Sequence, residues 1–123
     1  MALVAALLKL VIALVIFNVW ILRFNRATAW RGGEATTMRE EFAVYGLPEW
    51  SCLAVGFLKL SAAIGLLLGF WIPELVRPAA LLIAFLMFAA VVMHIRVSDP
   101  LKKSLPAFLM FLLSSLIIVL GRL

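Results

Sequence analysis

Cysteine is almost missing from this sequence: Cys52 is the only one in 123 residues. An intrachain disulfide and a Cys-x-x-Cys redox pair are thereby excluded. Histidine is as scarce, with His94 alone. A haem held by two histidines is excluded, and a zinc site lacks its usual nitrogen and sulfur ligands. Charge is sparse too, at 14% of residues, against about 25% in ordinary soluble domains. There is no glycine-rich phosphate loop and no recognisable nucleophile–base motif. The net charge is +5, but no basic stripe is present to carry nucleic-acid binding.

What fills the space is apolar. Hydrophobic residues make up 67% of the chain, and the mean hydropathy is +1.21. So short a chain has too little interior to bury that much apolar surface in water. A soluble enzyme, a disordered tail and a disulfide scaffold are ruled out, which leaves one small integral membrane domain, residues 1–123.

The expected architecture is all-α, an antiparallel bundle of four transmembrane helices at about residues 2–22, 50–71, 75–95 and 104–121. Each run approaches the roughly 20 apolar residues needed to cross the hydrocarbon, where only helices satisfy their own backbone. Lys9 interrupts the first run and Lys59 the second; Arg77 and His94 lie near the ends of the third; the fourth has no ionisable residue. Ala27-Thr28-Ala29 resembles a signal-peptidase site. However, Arg23 and Arg26 separate it from the apolar run and no basic side chain precedes that run, so a retained helix is expected.

Arg23, Arg26, Arg31, Arg39, Arg96, Lys102 and Lys103 lie in or beside the first and third connections, and only Arg77 and Arg122 on the opposite side. The positive-inside rule then puts those two connections in the cytoplasm and both termini outside. Trp20, Trp50 and Trp71 fall near span ends, where indoles favour the headgroup level. Gly56, Gly65 and Gly69, with Ala62 and Ala63, mark close helix contacts, within one chain or between copies.

The connection at about 24–48 is the only long one. Thr37-Met38-Arg39-Glu40 has capping-box spacing, and Gly46 supplies a stop. The short helix between them is amphipathic: Met38, Phe42 and Tyr45 share one face, with Arg39, Glu40 and Glu41 expected elsewhere. Such a helix lies on the membrane or covers the bundle; a solvated loop with one helical turn is the alternative.

Polar groups within the hydrocarbon are the candidates for chemistry. A charged Lys59 at mid-bilayer costs about 3 kcal/mol. To snorkel it must cover roughly 15 Å, at 1.5 Å per residue over about ten residues, more than its side chain reaches. An inward position facing a partner or a cavity is expected, while a structural role bonded to carbonyls stays open. Asn18, Lys59, His94, Arg96 and Ser114 are read as one intrabundle ligand pocket with Lys59 at its floor, and Glu40, Glu41, Phe42 and Asp99 as its mouth or cover. No metal site is expected.

Met38-Arg39-Glu40-Glu41-Phe42, Tyr45-Gly46-Leu47-Pro48, Val55-Gly56-Phe57-Leu58-Lys59-Leu60 and the run Met93 to Ala107 resemble the DoxX-like family of small membrane proteins. The resemblance spans almost the whole chain. It implies a four-helix bundle in the bacterial cytoplasmic membrane. Some relatives are named for a membrane subunit of thiosulfate:quinone oxidoreductase, and others are linked with oxidative-stress complexes. The chain departs from many of them in having Lys59 where they carry an acidic residue.

Three functions are compatible with this reading. In the first, the chain is a membrane subunit or accessory of a quinone-linked redox complex, with a quinone as its only cofactor and partner proteins supplying redox centres. In the second, it is a transporter or a lipid- or small-molecule-binding protein. In the third, it is a non-catalytic assembly partner or homo-oligomer.

Overall fold

The computed structural model describes residues 2–25 and 31–121. Ala27-Thr28-Ala29, Arg26 and Arg122 lie outside the described residues, so the cleavage-site motif receives no structural account. Helix α1 spans Ala2–Phe17 and runs into a π-helical turn, Asn18–Leu22. The N–H of Arg23 there donates to the carbonyl of Asn18 at 2.9 Å, the wider hydrogen-bond loop that defines such turns. Then follow α2 (Met38–Val44), α3 (Glu49–Leu68), a 3-10 turn (Pro73–Leu75), α4 (Val76–Arg96) and α5 (Leu101–Leu120).

Four helical segments are long and apolar enough to cross a membrane, and no strand occurs among the described residues. Helix α4 packs on α3 and α5, and α1 packs on the other sides of α3 and α5, closing a ring. The alternation of direction follows from what meets at one end: the C-terminal halves of α1 and α4 and the N-terminal halves of α3 and α5 line one cavity. Ile12, Leu66 and Ile83 fill the opposite part of the core. The outer faces present Leu7, Leu14, Phe57, Phe85 and Leu112, as suits a surface solvated by acyl chains.

Two helix ends differ from expectation. The second span stops at Leu68, because Gly69 begins a turn in which Trp71 and Ile72 both donate to the Leu68 carbonyl. The fourth begins at Leu101, just after Pro100, so that Pro106 lies within its second turn rather than at its start. Only in the first turn would a proline cost the ladder nothing; in the second it removes an N–H that would donate one turn back. Trp50 and Trp71 are exposed near span ends, but Trp20 is buried inside the bundle, not at a headgroup. The small-residue contacts fall within the chain: a Cβ at Gly65 would lie 3.2 Å from that of Ala79 on α4.

The first connection forms the expected capped helix. Thr37 Oγ1 accepts from the Glu40 N–H, and the Glu40 carboxylate accepts from the Thr37 N–H. Gly46 ends it with φ +77°. Met38, Phe42 and Tyr45 are buried on its inner face, so α2 folds back over the bundle as a cover.

Candidate functional site

Beneath this cover lies a cavity of about 600 Å3, within the range of small-molecule sites, roughly 300–1,000 Å3. Its walls are largely aliphatic, from Val15, Ile16, Leu86, Met87, Ala90 and Met110. Polar atoms converge from Asn18, Lys59, Tyr45, His94 and Glu41.

Lys59 and Trp20 are placed by one glycine. The Trp20 ring lies so close to α3 that a Cβ on Gly56 would be 2.9 Å from its Cε3 and Cζ3 atoms. One turn along α3, the Lys59 ammonium lies over the same ring, 5.2 Å from its centroid. Cation–π attraction of this kind is worth about 0.5–2 kcal/mol. Lys59 has no hydrogen-bond acceptor among the described residues, although an ammonium carries three donors. Lys9, the other lysine within a span, lies over Phe70 at 5.1 Å. Gly56→Leu is expected to drive Trp20 from its seat, lower stability by about 1–3 kcal/mol as other overpacked cores do, and red-shift Trp20 emission.

The cover is held by a buried polar chain. Arg31, just ahead of α2, donates to Glu41 Oε2 at 3.2 Å. Glu41 Oε1 accepts from the Gly32 N–H at 3.1 Å and from the Tyr45 hydroxyl at 2.7 Å. Tyr45 Oη meets His94 Nε2 at 3.2 Å, and His94 Nδ1 meets Asp99 Oδ2 at 2.8 Å. Asp99 Oδ1 then accepts from the Gly33 N–H at 2.9 Å, and Lys103 Nζ on α5 donates to the Gly33 carbonyl. The chain of contacts thus runs from the first connection through α2 and α4 and back to that connection.

The close of α4 aims Asp99 at His94. Ser98 adopts φ +59°, the only non-glycine among the described residues with positive φ. The Ser98 N–H donates to the Ile95 carbonyl and the Asp99 N–H to that of His94, a Schellman closure with serine where glycine is usual. Burial opposes ionisation of Asp99, but the hydrogen bonds from His94 and Gly33 outweigh it and hold its carboxyl below the usual range. For Tyr45, burial and then the Glu41 carboxylate push the phenol pKa up.

The sequence pattern of the DoxX-like family matches residues 16–117. This chain belongs to the DoxX-like family. With its four apolar helices, this DoxX-like protein is a multi-pass membrane protein. Among curated proteins and solved structures, none matches it.

Of the residues singled out from the DoxX-like sequence, Asn18, Lys59, His94, Glu41 and Phe42 line the cavity. Asp99 stands behind His94. Three lie elsewhere. Ser114 is buried, but its hydroxyl donates within its own helix, to the carbonyls of Met110 and Phe111. Arg96 is exposed on the last turn of α4. Glu40 is exposed, and its carboxylate is occupied by Thr36 and Thr37, whose hydrogen bonds lower its pKa.

Glu41 does not point away from the inner face as expected. Its spacing of three from Met38 and four from Tyr45 gives it the same helical face, a signal overridden by its charge. Arg31, buried against it, has no such signal, since nothing in Arg31-Gly32-Gly33 announces a partner ten residues on.

Proposed function

We propose that this protein is a membrane subunit or accessory of a quinone-linked redox complex, holding a quinone-type ligand in the covered cavity. One observation carries the reading: the Lys59 ammonium stands at an apolar cavity with donors that no described protein group accepts. A quinone offers two carbonyl acceptors, an aromatic face to stack beside Trp20, and an apolar tail matched to the aliphatic walls. On the cytoplasmic face, where positive-inside counting puts the first and third connections, the mouth would meet the partner proteins that supply redox centres. The membrane in question is the bacterial cytoplasmic membrane.

Mass spectrometry of protein purified in mild detergent tests this. A quinone is expected to co-purify with the native chain and to be lost from Lys59→Ala, a drop of about tenfold or more if one charged hydrogen bond of roughly 1.5–3 kcal/mol is removed. Equal quinone in both, or none in either, overturns the proposal.

A second reading has its own support. Arg23, Arg31, Lys59 and Lys103 line the cavity against the single carboxylate of Glu41, a balance that suits an anionic amphiphile such as a fatty acid or phospholipid, for binding or for transport. The same spectra distinguish it, since an anionic lipid would then co-purify in place of a quinone. A non-catalytic assembly partner or a homo-oligomer is the outcome if protein alone co-purifies.

A further inference from the structure

The chain of contacts from Glu41 to Asp99 has a fixed appetite for protons. It contains the successive links Glu41–Tyr45, Tyr45–His94 and His94–Asp99, at 2.7, 3.2 and 2.8 Å. Each link needs one hydrogen. Tyrosine supplies one and a neutral imidazole one, while an ionised carboxylate at either end supplies none. A neutral His94 therefore leaves one link with an acceptor facing an acceptor in a buried site. Only one additional proton completes the chain.

Its place follows from the partners at each end. Glu41 accepts from the Arg31 guanidinium on Oε2 and from the Gly32 N–H on Oε1. Asp99 takes the Gly33 N–H on its other oxygen, with Lys103 nearby. Neither carboxylate has need of a proton, which leaves the imidazole. With His94 doubly protonated, Nδ1–H donates to Asp99, Nε2–H donates to Tyr45 Oη, and Tyr45 donates to Glu41. Lys59 on α3 and Arg23 after α1 also line the cavity that His94 faces, and neither supplies a hydrogen to this chain.

We infer that Glu41, Tyr45, His94 and Asp99 form a proton-binding site, holding His94 as the imidazolium while the cover is closed. Glu41 rides on α2 and Tyr45 on its C-cap, whereas His94 belongs to α4. Lifting the cover breaks the Tyr45–His94 link and removes the demand for the third hydrogen. Wherever a free imidazole is mostly neutral, closure captures one proton from water and opening returns it. The proton rests at the cavity wall, since both His94 and Tyr45 line it. The site does not depend on what the cavity holds.

Because the chain has a single histidine, 15N-histidine labelling of the full protein in lipid bilayers reads His94 alone. At neutral pH the native protein is expected to show both ring nitrogens protonated. One protonated and one bare nitrogen overturns the inference. Asp99→Asn sharpens the test. An asparagine amide donates to Nδ1 while its oxygen still accepts from Gly33, so the chain closes without the extra proton. That variant is expected to lose the Nδ1 hydrogen and keep the one on Nε2. If both nitrogens stay protonated, or the hydrogen remains on Nδ1, the proton is not set by this chain and the inference fails.

Discussion

Glu41→Leu is expected to unlatch the cover. The substitution removes, in one step, the carboxylate that accepts from Arg31, from the Gly32 N–H and from Tyr45. Arg31 is buried; it keeps its hydrogen bonds to the carbonyls of Arg23 and Phe24, but stripping the carboxylate from a buried ion pair costs about 3–5 kcal/mol, because the remaining charge loses its counter-ion. The loss is predicted to be local. Helix α2 has seven residues, too few to persist without its docked face, whereas the four long helices bury their own core. Hydrogen exchange in lipid discs should therefore show lost protection across 31–47 and unchanged protection in α3, α4 and α5. Replacing both partners, as Arg31→Met with Glu41→Leu, should restore part of that protection, since an apolar pair carries no stranded charge. Protection of 31–47 equal to the native level in the single variant would show that the ion pair does not hold the cover.

Tyr45 gives the second large effect, at alkaline pH. Burial, followed by the Glu41 carboxylate, raises its pKa in the folded protein, so the closed cover favours the neutral phenol. A group with a raised folded pKa contributes stability that is complete below its unfolded value, about 10 for tyrosine, and lost as pH rises beyond it. The part of the closed cover's stability that Tyr45 contributes should thus be lost only above about pH 10. Tyr45 is the only tyrosine in the chain, so tyrosinate absorbance reports it directly. The absorbance is expected to stay flat through the pH range where a free phenol ionises, then to rise together with loss of amide protection in 31–47. A smooth titration near the free value, with protection intact, would mean that Tyr45 meets water in the closed state.

The bundle could be read from the sequence because hydropathy is a one-dimensional signal. Runs of apolar residues of membrane length, spaced by basic connections, admit one architecture, and Thr37 with Glu40 announces the start of the cover helix. The site was legible only in part. Asn18, Lys59 and His94 stood out as polar groups among aliphatic neighbours, and they share one cavity. Ser114 stood out for the same reason, but a serine on a membrane helix meets its needs at the carbonyl of the preceding turn. Glu41 and Arg31 were hidden by a different cause. Charge in a connection reads as solvated, and only the packed fold shows that the two carry each other inward. The Trp20 seat at Gly56 and the cavity volume are properties of packing between helices, for which a single sequence has no pattern.

On the proposed function, the covered cavity is a ligand site in which Lys59 faces the bound head group. Trp20 reports on it directly. A chain with Trp30, Trp50 and Trp71 changed to Phe retains one indole, at the cavity wall beside Lys59. Titrating it in lipid vesicles with a short-tailed benzoquinone should give saturable quenching, with the midpoint moved about tenfold or more by Lys59→Leu, the effect of losing roughly 1.4 kcal/mol. Quenching that rises linearly without saturation, and identically in both chains, would mean that the quinone meets Trp20 only from the lipid and that the cavity does not bind it.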